Sequence, residues 1–128
     1  MTASATSRTT RSARQITRKA LPLEKANIQN TNKNANTDFL AAALSPTDYP
    51  CLFRIQVALT TAGKFRATIT KAANTQTVDF NGGSNLAAAG LYQFDLLVHQ
   101  GDTVNFQSDQ NQTPVMVLRV QEIEWAVQ

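Results

Sequence analysis

The 128-residue sequence predicts an all-β fold, an antiparallel β-sandwich or jelly-roll-like body preceded by an extended N-terminal arm. Three observations carry this expectation. Apolar and polar residues alternate at a period of two through 51–60 and again through 91–98. Turn-forming residues recur about every ten positions between these runs. No stretch repeats its apolar residues at the helical period.

Residues 38–44 read as a short Ala-rich helix capped by Asp38, or as a strand with Phe39, Ala41 and Ala43 on one side. Pro46 and Pro50 stop a helix soon after, which favours the strand. In 51–60, Cys51, Phe53, Ile55, Val57 and Leu59 face one way and Leu52, Arg54, Gln56, Ala58 and Thr60 the other. Thr61-Ala62-Gly63-Lys64 offers a turn, and Phe65, Ala67 and Ile69 resume the alternation through Lys71, so the two segments are expected to pair as a hairpin. A third strand covers 75–80 with Val78 and Phe80 inward. Asn81-Gly82-Gly83-Ser84 breaks it, and 86–89 is too short for a helix. Tyr92, Phe94, Leu96 and Val98 share a face in the next strand, and Gly101-Asp102 turns into 103–107, where Val104 and Phe106 point inward. The last strand spans 115–127. Met116, Leu118 and Val120 keep one parity there, but Ile123, Trp125 and Val127 take the other, which a bulge or change of sheet near Gln121 and Glu122 would reconcile.

Charge divides the chain. Residues 1–37 hold Arg8, Arg11, Arg14, Arg18, Lys19, Lys25 and Lys33 against Glu24 alone, a net +6, whereas 38–128 carry five basic and eight acidic side chains, a net −3. The division expected is therefore a basic arm, 1–37, and a β body, 38–128. The arm is rich in Thr, Ser, Ala, Asn and Gln, with no aromatic before Phe39, so it buries too little to fold alone. At about 3.3 Å per residue it would reach roughly 120 Å, far enough to engage another molecule. Arg8, Arg11, Arg14, Arg18, Lys19 and Lys25 are its candidate partner-binding residues. They could neutralise nucleic-acid phosphates, or meet carboxylates and backbone acceptors on a protein shell. Their single spacing, the absence of interleaved aromatics and the acidic body favour the protein partner.

Catalysis finds little support. One cysteine and one histidine exclude a disulfide framework, the usual four-ligand zinc site and a nucleophile–histidine apparatus with a second histidine. His99 sits beside a turn with no second ligand near it, Cys51 starts an inward parity, and the carboxylates Asp95, Asp102, Glu122 and Glu124 read as solvated or salt-bridged acids. The Asn81-Gly82-Gly83-Ser84 loop lacks the Lys-Ser/Thr of a phosphate loop. Trp125 fits a core cap or a subunit contact equally. No enzyme, cofactor or metal is expected. With no run of 18 apolar residues and no apolar h-region, neither is a membrane span or a secretory signal.

A resemblance adds to this. Asn36-Thr37-Asp38-Phe39-Leu40, Leu44-Ser45-Pro46, Phe53-Arg54-Ile55, Leu86, Leu91-Tyr92-Gln93-Phe94-Asp95-Leu96-Leu97-Val98, Gly101-Asp102-Thr103-Val104-Asn105-Phe106 and Leu118-Arg119-Val120 look like small β-rich structural proteins of tailed bacteriophages. Over about 36–124 the chain is similar in kind to head decoration, or cement, proteins of that group. These are fold-supporting patterns without a catalytic signature. The resemblance implies a virion protein made in the host cytoplasm and placed on the capsid surface, a homotrimer bound to the major capsid protein with its arm lacing neighbouring subunits. A head–tail or tail component, and a nucleic-acid-associated protein, are the alternatives.

Overall fold

A computed structural model of the chain describes residues 23–29, 31–47 and 51–124, apart from the side chain of Glu124. Seven strands follow in order: β1 (Leu23–Gln29), β2 (Cys51–Ala58), β3 (Phe65–Lys71), β4 (Asn74–Asp79), β5 (Leu91–Val98), β6 (Thr103–Ser108) and β7 (Val117–Glu124). They form two antiparallel sheets, β1-β7-β2-β5 and β4-β3-β6. The segment 33–44 runs along the free edge of β6. Lys33 and Gln112 exchange backbone bonds, the Asn36 and Phe39 amides donate to the Ser108 and Phe106 carbonyls, and Leu44 and Val104 again exchange both bonds.

Counted as an irregular strand, that segment makes the winding plain. β1 pairs with β7, 33–44 with β6, β2 with β5, and β3 with β4. The chain is one long two-stranded ribbon whose successive pairs fall alternately into opposite sheets, which is the jelly-roll path. The only tight turn the ribbon needs is at its tip, where Ala72 and Ala73 join β3 to β4 and Ala72 takes φ 56°.

This winding corrects several expectations. β2 and β3 do not form a hairpin, because consecutive ribbon pairs occupy different layers. The connection after Leu59 instead crosses the sandwich, and Gly63 and Leu86 bridge through paired backbone bonds. A Cβ on Gly63 would lie 2.7 Å from Gln110 Cγ and 2.8 Å from Asp109 Oδ1, so glycine answers a close approach there. Residues 38–44 form no regular strand. Phe39 and Leu40 are both buried while Ala41 and Ala43 are exposed, because the Asn105 side chain brackets Leu40, accepting from its amide at 3.0 Å and donating to its carbonyl at 2.9 Å. Residues 23–29, which the charge division sets in the arm, pair with β7, and Ala26 and Ile28 pack on the core.

The core lies between the layers. β2 alternates fully, with Cys51, Phe53, Ile55 and Val57 buried. Phe65 at the start of β3 stacks with Phe39, Phe80, Phe94 and Phe106 at centroid distances of 5.3–6.2 Å. β5 is a sheet edge, so Tyr92, Phe94 and Leu96 face inward as expected yet are only half-buried. Val78, expected inside, is 37% exposed because β4 is the edge of the other sheet.

Candidate partner-binding site

Of the six residues expected to bind a partner, Arg8, Arg11, Arg14, Arg18 and Lys19 lie outside the described residues. Lys25 lies in β1, and its surroundings explain the change of parity in the last strand. β7 keeps unbroken register against β2 from Val117 to Glu124, so no bulge occurs at 121–122. Inward parity continues through Leu118 and Val120 to Glu122, which is fully buried, while Ile123 falls on the outer face beside Leu52. The irregularity sits in β1, where Glu24 and Ala26 oppose Gln121 and Val120 and Lys25 is the extra residue.

The bulge brings Lys25 to Glu122. Its ammonium lies 3.6 Å from Glu122 Oε1 and donates to Thr47 Oγ1 at 2.9 Å, while the Thr47 amide donates to Glu122 Oε1 at 2.8 Å. A buried carboxylate needs a cation and hydrogen bonds to remain tolerable, and Lys25 supplies the first. The charge assigned to the arm is thus used inside the roll.

The other ion pairs among the described residues also lie within the roll. Arg54 on β2 grips Asp95 on β5 with two hydrogen bonds, of 2.9 and 3.0 Å. Those bonds hold the Asp95 carboxyl below its ordinary range and raise the Arg54 guanidinium. Arg119 faces Glu24 at 3.5 Å and Arg66 faces Asp79 at 3.4 Å. On the outer face of the larger sheet, register sets Arg54 between Asp95 and Gln121, and Gln56 between Gln93 and Arg119. This makes a polar stripe in which Arg54 bonds Asp95 and Gln56 Nε2 donates to Gln93 Oε1 at 3.2 Å.

The His99 side chain is well exposed. Its backbone amide donates to Asp102 Oδ2 at 2.9 Å, and the Asp102 amide returns to the His99 carbonyl, so Asp102 closes the turn between β5 and β6. Cys51 is buried, as its parity requires. Among the described residues no group of three His, Cys, Asp or Glu side chains is arranged to hold a metal ion. Sequence reasoning missed the Lys25–Glu122–Thr47 cluster, and the parity change at 121–122 was the only trace of it. Comparison with known protein families, curated proteins and solved structures finds no match for the chain.

Proposed function

We propose that the chain is a non-enzymatic structural protein of a virion, a decoration or cement protein that stabilises a capsid shell. In this reading the jelly roll sits on the outside and the basic N-terminal segment lies across the major capsid protein. The supporting observation is the location of unbalanced charge. Residues 1–22 contain Arg8, Arg11, Arg14, Arg18 and Lys19 and no acid, whereas Lys25, Arg54, Arg66 and Arg119 face acids of the roll itself. The first set, dense in cations and with no acid in its own stretch of sequence, suits an acidic or acceptor-rich partner. Each exposed contact contributes only ~0.2–1 kcal/mol. Repetition over a symmetric shell multiplies such contacts through effective concentration.

The test is co-sedimentation with DNA-free shells of the virus or prophage that encodes the chain. Full-length protein in which Arg8, Arg11, Arg14 and Arg18 are replaced by Gln should stay in the supernatant while the parent pellets. Equal binding by both forms refutes the reading. The same five cations favour nucleic acid as the second reading. That partner would give binding to duplex DNA whose logarithm falls with log salt at a slope of about −4.5, roughly 0.9 per phosphate neutralised. Shell binding that requires DNA would put this reading in place of the first.

A further inference from the structure

The four sheet edges are not alike. The β6 edge is occupied by 33–44, and the β1 edge carries a bulge and the charged pair Glu24-Lys25, devices that discourage further pairing. β4, Asn74-Thr75-Gln76-Thr77-Val78-Asp79, has none of these. All six residues are exposed, the run holds no Pro, Lys or Arg, and its register with β3 is unbroken. The β5 edge lies on the same side of the sandwich, since Phe80, just after β4, stacks on Phe94 at 4.8 Å. A groove lined by Ile69, Gln76, Leu97 and His99 separates the β3–β4 hairpin from the end of β5. One flank of the roll is therefore open backbone over part-buried apolar side chains.

The bonding direction of β4 can be read off its ladder. The Phe80 amide donates to the Phe65 carbonyl, so Phe65 and Phe80 form a hydrogen-bonded pair. In an antiparallel ladder such pairs alternate, which assigns Ala67/Val78, Ile69/Gln76 and Lys71/Asn74 to the same class. Thr70 and Thr75 belong to the other class, and their hydroxyls approach to 3.0 Å as that closer pairing allows. Thr75, Thr77 and Asp79 therefore direct both N–H and C=O away from β3, at an edge that no described strand covers.

We propose that this edge pairs with β4 of a second copy of the chain, antiparallel about a two-fold axis through Thr77. A two-fold strand pair must set one residue opposite itself, and it closes because each copy uses its only β4 edge. Thr77 is the central outward-bonding residue. Centring there opposes Thr75 to the second copy's Asp79, and the reverse, so each of the three residues exchanges both backbone bonds. The charges agree: the only ionised side chain of β4 meets a threonine instead of its own copy. On the inner face Val78 meets Gln76, continuing the smaller sheet across both copies above the groove and the half-buried side chains of β5.

Thr77 opposite itself gives a direct test by sedimentation velocity of the full chain across a concentration series. The parent should show a monomer–dimer equilibrium. Thr77→Lys and Thr77→Glu should each weaken it at least tenfold, because like charges face each other across the axis, and an equimolar mixture of the two should recover it as a heterodimer. At concentrations where the parent is monomeric, the circular dichroism melts of both variants should match the parent's, since Thr77 makes no ladder bond to β3. A variant that loses its β-sheet spectrum is replaced by Thr77→Pro, whose missing amide would point outward, and it should weaken association to the same degree. A parent that remains monomeric overturns the proposal, as does association insensitive to these substitutions or a mixture that fails to recover. Replacing Arg8, Arg11, Arg14 and Arg18 by Gln should leave the dimer intact; its loss would make the N-terminal segment the occupant of the edge and overturn the proposal. Shell binding is read separately, so either result stands apart from the function proposed above.

Discussion

Gln112 is fully buried between the corner after β2 and the corner before β7, and its amide uses both ends. Oε1 accepts from the Thr60 and Thr61 amides at 2.8 and 3.0 Å, and Nε2 donates to the Thr61 carbonyl at 3.0 Å. Gln112→Ala leaves two backbone donors and one acceptor without this partner. At the low end of ~1–3 kcal/mol for a desolvated group, suited to a part-buried corner, the two donors contribute about 2 kcal/mol. Lost packing adds about 1–2 kcal/mol, for an expected cost of about 3–4 kcal/mol. Gln112→Met keeps the volume and should cost about 2 kcal/mol, isolating the polar share. Urea unfolding with unchanged m is the assay. A cost below ~1 kcal/mol for Gln112→Ala would mean that the amide does not hold the corner together, and the reasoning would fail.

Gly63→Ala should lower stability by about 1–3 kcal/mol, because the new methyl meets Asp109 Oδ1, already held by the Lys64 amide at 2.8 Å. Phe65→Ala, at the centre of four stacked rings, should cost about 3–5 kcal/mol, and Phe94→Ala on the half-buried edge nearer 2 kcal/mol; equal losses in denaturant would contradict the placement of β5 as an edge. Asp95 has a folded pKa below its unfolded one, so its pairing with Arg54 stabilises above the ordinary aspartate range and fades as pH falls through the folded value. With both side chains about two-fifths exposed, the effect should be small and salt-sensitive; an Asp95→Asn variant with a steeper acid limb than the parent would reverse the sign.

What the sequence revealed and what it hid follow from the range of the interactions. β2 was legible because its alternation is uninterrupted and its inward face is fully buried. β1 was hidden because only Ala26 and Ile28 turn toward the core, and the partner that makes the segment a strand lies at the other end of the chain. The β3–β4 turn escaped notice because Ala72-Ala73 has no Gly or Asn, whereas Gly63, which looked like a hairpin glycine, marks a contact with 109–110. Periodicity separates the inward and outward faces of β5, but position at a sheet edge, and with it half-burial, is a property of topology that periodicity does not encode. At the candidate site the same limit applied. Lys25 looked like one more arm cation, and only its distant neighbour Glu122 gives it another role.

The ribbon winding also sets an order of assembly. Side-chain bonds between paired segments join residues 5 apart at Thr70–Thr75, 41 apart at Arg54–Asp95, 76 apart at Ala35–Asn111 and 95 apart at Glu24–Arg119. Loop-closure entropy makes the ribbon tip the least costly place to begin, and each later pair becomes local once the one inside it has formed. β1 leaves the ribosome first among the strands yet is the last to find its partner, because β7 is the last to emerge. Until β7 is made, β1 has no strand to pair with, so the larger sheet reaches its full width only when the last strand arrives.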